Sequence, residues 1–247
     1  GIDFNISTRN IDTKNFKWRT SLSFSHTKNK VVQGAKEASI VGDTYTNYVS
    51  GSVVKEGESV DGFYSYQFDR LDEHGLPRFK NLTGNDSNMS KEDFLNTIFT
   101  YSGTRTPVAF GSFSTEFMYK RLSLRAEFSY KFGYKVRMLR LYKDDGSVLP
   151  YPGDNMPKAF TKRWRKEGDE AHTNIPVLTN IRLDAPAMGA ILGEEYTYTM
   201  IDFDFYNIAG PQALTGWYMY DHSDLRVVKG DHIRVRALSL GYSLSGQ

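Results

Sequence analysis

Apolar and polar residues alternate with a period of two in five stretches of this chain. That pattern marks strands with one apolar face. In residues 2–9, Ile2, Phe4 and Ile6 alternate with Asp3, Asn5, Ser7 and Arg9. In 16–26, Phe16, Trp18, Thr20, Leu22 and Phe24 alternate with Lys17, Arg19, Ser21, Ser23 and Ser25. In 109–119, Phe113, Thr115, Phe117 and Tyr119 oppose Ser112, Ser114, Glu116 and Met118. The cleanest run, 122–134, sets Leu122, Leu124, Ala126, Phe128, Tyr130, Phe132 and Tyr134 against Ser123, Arg125, Glu127, Ser129 and Lys131. In 232–244, Ile233 and Val235 are followed out of phase by Leu238, Leu240, Tyr242 and Leu244, which predicts a bulge near Arg236–Ala237.

Such strands exceed the common length of about 5–6 residues and match the roughly 9–11 that a tilted strand needs to cross a bilayer. Rings gather towards strand ends, with Phe16 and Trp18 on one, Tyr119 and Tyr242 on others, and Tyr130, Phe132 and Tyr134 on another. Outer-membrane barrels carry aromatic girdles of this kind. Short connections at Asn10–Lys14 and Lys120–Arg121 alternate with two very long ones, about 28–106 and 135–230. A barrel with short periplasmic turns and long extracellular loops has that rhythm. Within the long connections, "NMSKEDFLNTIF" reads as a short helix with Ser90 at its N-cap and Asp93 three residues on. "VDGFYSYQF" and "YTYTMIDFDF" read as extended pieces, and "EHGLPRF" as a turn into one.

Composition sharpens this picture. The 247 residues include 31 Lys and Arg against 29 Asp and Glu, a net charge of +2 that argues against a nucleic-acid binder. Mean hydropathy is −0.50, and no apolar run approaches the roughly 18 residues of a membrane helix. Yet 16 Tyr, 16 Phe and 3 Trp make the chain rich in rings. Cysteine is absent, which removes disulfides, thiolate metal sites and Cys nucleophiles.

Catalytic motifs are missing. There is no His-Glu-x-x-His, Walker loop, Gly-x-Ser-x-Gly or Gly-x-Gly-x-x-Gly. His26, His74, His172, His222 and His232 are scattered without metal spacing. Glu194, Glu195, Asp202 and Asp204 read as solvated loop charge, as a Ca²⁺ site or as a carboxylate pair. Arg125, Glu127, Lys131, Arg234 and Arg236 sit opposite the rings, facing the lumen of a barrel or the solvated side of a soluble sheet. Tyr64, Tyr66, Trp164, Trp217, Tyr218 and Tyr220 lie in polar loop sequence. They are candidates for substrate or partner contact, or else pack the loops on one another. The cluster Asn81, Asn85, Asn88 reads as a polar turn before the helix.

Four stretches in order resemble the SusC/RagA family of TonB-dependent outer-membrane transporters. They are "GIDFNISTRNIDTKNFKWRTSLSFSHTKNKV", "KEGESVDGFYSYQFDRLDEHGLPRF", "YSGTRTPVAFGSFSTEFMYKRLSLRAEFSYKFGYKVR" and "VVKGDHIRVRALSLGYSL". Lys120–Arg121 departs from the Lys-Gly expected at that turn, where Gly supplies φ > 0.

The resemblance implies an all-β fold, with residues 1–247 forming part of an antiparallel transmembrane β-barrel with long extracellular loops and a short loop helix. It covers a late part of a longer protein whose amino-terminal part and plug have no counterpart here. The whole protein would be a bacterial outer-membrane importer of large nutrients, glycans or oligopeptides, and not an enzyme. TonB would supply the energy through the amino-terminal part, and a SusD-like surface lipoprotein would be the partner. The rest of the barrel, the plug and the lipid bilayer would surround this segment. By family analogy Arg234 and Arg236 would pair with plug carboxylates. The competing readings are a soluble secreted all-β carbohydrate-binding module, with the rings of 122–134 against a second sheet, and a glycoside hydrolase using the acidic cluster at 194–204.

Overall fold

The computed structural model describes residues 1–33, 44–81, 91–141, 155–177 and 216–244. The acidic positions 194–204, the extended piece 196–205, Ser90, Asn85 and Asn88 lie outside them. Each of the five alternating stretches is a strand of 11 residues: β1 (Ile2–Asp12), β2 (Phe16–His26), β7 (Ala109–Tyr119), β8 (Leu122–Phe132) and β11 (His232–Tyr242). They form one antiparallel sheet in the order β1-β2-β7-β8-β11. At about 3.3 Å per residue each strand is about 36 Å long. Tilted by about 40°, it rises about 28 Å, near the apolar band of a membrane barrel.

Register sorts the residues onto two faces. One carries Phe4, Phe24 and Gly111 in a row, then Leu22, Phe113 and Phe128, then Trp18, Phe117 and Leu124. The predicted bulge lies between Val235 and Ala237, and it keeps Leu238 and Leu240 on this apolar face. A second bulge interrupts β1 between Arg9 and Ile11. Asn10 is thus a bulge residue inside β1, and the turn is only Thr13–Asn15. The sequence carried the signal, because Ile11 is one residue out of phase with Ile6.

The turn between β7 and β8 puts Lys120 at φ 52, a left-handed conformation that costs a non-glycine residue about 1 kcal/mol. Its N–H donates to the Asn15 carbonyl, tying the two turns together (2.8 Å). Gly111 is required by a close approach. A Cβ there would stand 2.0 Å from the Ser23 carbonyl oxygen, and the Tyr130 hydroxyl crosses it to donate to that oxygen (2.7 Å).

Between β2 and β7 the chain builds a second body, the cap. It comprises α1 (Thr44–Ser50), β3 (Gly62–Tyr66), β4 (Phe68–Leu71), β5 (Pro77–Phe79), α2 (Lys91–Ile98) and β6 (Phe99–Thr104). β3 pairs with β6 and β4 with β5. The predicted helix is α2, and "VDGFYSYQF" supplies β3. After β8, Gly133 (φ 79) breaks the strand before β9 (Lys135–Arg137), so the predicted 122–134 strand ends at Phe132 and Tyr134 lies between the two strands. The last part of the cap is α3 (Gly216–Asp221) and β10 (Val227–Lys229), which pairs with β9. The β9–β10 ladder thus continues the β8–β11 pair upward from the wall into the cap.

Candidate functional site

The five-stranded wall has opposite chemistry on its two faces, and its apolar face is uncovered. Leu238 and Leu240 are 72% and 73% exposed, and Ile2, Phe4, Tyr119, Ile233 and Tyr242 are also open. No second sheet packs on this face among the described residues. An apolar surface five strands wide exceeds the few hundred Å² that soluble monomers expose. Polar groups on it bond to one another: Thr8 with Thr20 (2.7 Å), and the Trp18 indole N–H to the Thr115 hydroxyl (3.0 Å). Rings cluster at both ends of the strands. Phe117 stacks on Trp18 (5.5 Å) near the turns, and Tyr130 on Phe132 (5.6 Å) at the opposite end.

The other face is polar. Arg125, Glu127, Lys131 and Arg234 all lie on it by register, and Arg236 is the extra residue of the bulge. Arg125 pairs with Glu127 at 2.5 Å. Sequence reasoning missed Arg9, Arg19 and Glu116 as site residues. They occupy the same polar phase, and the register aligns them with Arg125 in one row. This row lines a hollow of about 320 Å³ with Ser7, Ser21 and Ser114.

The cap has the water-excluding core that the wall lacks. Tyr48, Val49, Tyr64, Tyr66, Leu95, Ile98, Phe99 and Met219 are buried together. Phe99 is sandwiched by Tyr48 (4.8 Å, stacked) and Tyr66 (4.6 Å). Of the two readings of the loop rings, contact or loop packing, burial corrects the first for three of them: Tyr64, Tyr66 and Tyr220 are 2%, 0% and 1% exposed and pack the cap. Burial, reinforced by the Tyr64 hydroxyl donating to Glu58, pushes the Tyr64 phenol far up, and burial pushes Tyr220 up to about 12. Tyr218 packs half-buried on this core and on the His222 ring (4.1 Å). Trp164 covers Gly75, whose φ is +74, and donates its indole N–H to Glu170 (2.9 Å). That hydrogen bond is the main cause holding the Glu170 carboxyl below its usual range. The Trp217 side chain lies outside the described set.

Two arginines fasten the cap to the wall extensions. Arg137, on β9, donates to the carbonyls of Val49 (2.8 Å) and Tyr64 (2.7 Å) and to the Ser65 hydroxyl (2.9 Å). Its guanidinium lies over the Phe63 ring (5.1 Å). Burial lowers its pKa to about 10, so it remains charged at neutral pH. Arg226 donates to the Leu139 carbonyl (2.6 Å) and sits 3.6 Å from Asp221. His222 donates Nδ1–H to the Tyr218 carbonyl (2.8 Å). Burial, with Arg137 and Arg140 nearby, depresses its pKa to about 4. Among the described residues no group of three or more His, Cys, Asp or Glu gathers into a metal cluster.

No family model matches the chain. Over 99% of its length it is 23% identical to "TonB-dependent receptor P3" of Formosa agariphila, of which it spans 21%. The RagAB peptide importer in its closed-closed state superposes with a TM-score of 0.55 at 16% identity, covering 98% of this chain and 22% of that one. The open-open state gives 0.54 with the same identity and coverage. The chain thus spans about a fifth of the length of the relatives it matches. Its sheet and cap share the fold of a segment of RagAB, and its sequence is similar over nearly all its length to a TonB-dependent receptor.

Proposed function

We propose that this chain supplies barrel wall and extracellular cap to an outer-membrane, TonB-dependent importer of large nutrients, glycans or oligopeptides. The observation that carries the reading is the two-faced wall, with strands of bilayer length, an uncovered apolar face and a charged face opposite. A barrel in lipid satisfies both faces at once, with hydrocarbon outside and water inside. Five strands are fewer than the 8 of the smallest single-chain barrels. β1 and β11, the two edges of the sheet, therefore pair with further strands of the same barrel.

In this reading the turns at Thr13–Asn15 and Lys120–Arg121 face the periplasm and the cap faces outward. The cap is the part that a surface lipoprotein partner meets. Arg125, Glu127, Lys131 and Arg234 face the lumen, with Arg236 at the bulge. Trp164 and Tyr218, half-buried rings, and Trp217 are the remaining candidates for contact with substrate or partner. The function is transport without bond-making chemistry.

The test is uptake by cells carrying the full-length protein. Labelled oligopeptides and glycan oligomers are offered with and without TonB. Accumulation of either class that requires both the protein and TonB supports the reading. Equal accumulation without the protein overturns it.

A further inference from the structure

We propose that the hollow between wall and cap lined by Lys28, Lys30 and Tyr101 is a cargo subsite for an acidic sugar, one that carries a carboxylate or a sulfate. The proposal rests on the importer reading and narrows its cargo. The hollow measures about 460 Å³, within the roughly 300–1,000 Å³ of small-ligand pockets. It forms where β2 and β7 leave the sheet, at the end away from the Thr13–Asn15 and Lys120–Arg121 turns. Thr27 and Val108 border it. The Thr27 N–H donates to the Val108 carbonyl (2.9 Å), so they are the next pair beyond His26 and Ala109. Side chains alternate between faces along a strand, which puts this pair in phase with Ser25 and Phe110 on the polar side. In a barrel that is the side cargo reaches.

A clamp fixes the backbone around the hollow. Asn29 accepts the Ser59 hydroxyl (2.7 Å) and the Val60 N–H (2.9 Å), and its amide donates to Asp61 (3.3 Å). The Val31 N–H donates to the Glu58 carbonyl (2.8 Å), and the Gly57 N–H donates to the Val31 carbonyl (2.9 Å). Lys28 and Lys30 flank the clamped Asn29, so both side chains leave a fixed base. Among the described residues neither lysine has a carboxylate oxygen within 4.0 Å. Glu58 is the acidic residue among the described lining, and it accepts the Tyr64 hydroxyl. Two ammoniums thus share the hollow with one engaged carboxylate, which leaves an excess of positive charge.

The rest of the lining selects a sugar. The Tyr101 ring meets Tyr64 edge to face (5.7 Å) and stays 39% exposed, so part of it is open to cover the apolar C–H face of a sugar ring. The hydroxyls of Thr27, Thr104 and Thr106 can each donate and accept, as sugar hydroxyls do. A neutral sugar would use the ring and the hydroxyls but leave both ammoniums without a counter-charge. An acidic peptide would pair with the ammoniums but leave the ring and hydroxyls without their match. A sugar bearing an acid group uses all three.

The experiment uses the purified full-length protein and titration calorimetry. The probes are oligomers of equal length: an oligogalacturonate, a sulfated galactan, a neutral galactan and an oligoglutamate. Binding of the first identifies carboxylate as the recognised acid, and binding of the second identifies sulfate. Either supports the proposal when the neutral galactan and the oligoglutamate bind about tenfold more weakly or less. Lys28→Gln combined with Lys30→Gln should weaken the acidic sugar about tenfold, as loss of a charge-assisted hydrogen bond implies, and leave the neutral galactan unchanged. Both lysines are exposed, and heat-modifiable migration on a gel confirms that the variant is folded. Failure to bind either acidic sugar, equal or tighter binding of the neutral galactan or the oligoglutamate, or indifference to the lysine changes overturns the proposal. TonB-dependent uptake by cells tests the importer reading separately, so failure of the one is distinct from failure of the other.

Discussion

The wall and the cap use the same residue types to opposite ends. Tyr66 and Phe99 in the cap are buried ring on ring, while Tyr119 and Tyr242 in the wall are more than half exposed. The cap contains its own apolar core and polar partners, so water suits it as solvent. The wall has no such core among the described residues, and its apolar face is exposed. The arginines differ in the same way. In the cap, Arg137 and Arg226 are buried and donate to backbone carbonyls. In the wall, Arg125, Arg234 and Arg236 are exposed.

The largest effect expected from breaking this contrast is in the cap core. Phe99→Ala removes a ring held between Tyr48 and Tyr66 and should cost the cap about 3–5 kcal/mol. Hydrogen exchange should show β3 and β6 losing protection while β7 and β8 keep theirs. Loss of protection in the wall as well would make the two regions one cooperative unit.

Next comes the wall in lipid. Leu238→Arg places a charge on the apolar face near the middle of β11 and should destabilise the barrel by about 2–4 kcal/mol. Ser239→Glu, one residue on and on the opposite face, places its charge opposite Arg125 and should change stability by less than about 0.5 kcal/mol. Urea unfolding of the full-length protein in lipid vesicles reads both, and equal effects would remove the distinction between the faces.

Acid should loosen the cap. His222 is held near pKa 4 in the fold, below its usual value of about 6.5, so the unfolded cap binds the proton first. The stability this group allows is whole above about pH 6.5 and falls as pH drops towards 4, by roughly 3 kcal/mol in total. Limited proteolysis across that range, corrected for protease activity, should show cleavage rising around α3. His222→Phe should flatten the dependence.

The smallest effect is a gain. Lys120→Gly relieves a left-handed lysine at the β7–β8 turn and should stabilise the hairpin by up to about 1 kcal/mol. The urea midpoint of the full-length protein should rise, and a fall would mean that the bond from Lys120 N–H to Asn15 depends on the side chain.

The wall was legible in the sequence because period-two alternation is local. Each strand, and the phase slip at Arg236, could be read from neighbouring residues alone. The phase slip at Ile11 was equally present, but the β1 strand extends beyond the point where clean alternation stops. The cap was legible only in pieces, as α2, β3 and the turn into β5. Burial of Tyr64, Tyr66 and Tyr220 depends on contacts between segments far apart in the chain, and a ring bound for a core looks locally like a ring bound for solvent. The hollow at Arg9 and Arg19 was hidden for a related reason. Which polar residues share a row depends on register, and cross-strand register is fixed by pairings that no single strand records.

The central claim is that the apolar face of the wall meets hydrocarbon and the polar face meets water. Site-directed spin labels along β11 of the full-length protein in vesicles test it most directly. The account predicts that labels at Ile233, Val235, Leu238 and Leu240 collide with oxygen dissolved in lipid, while labels at Arg234 and Ser239 collide with an aqueous nickel complex. Aqueous accessibility at every position, or no alternation along the strand, would contradict it.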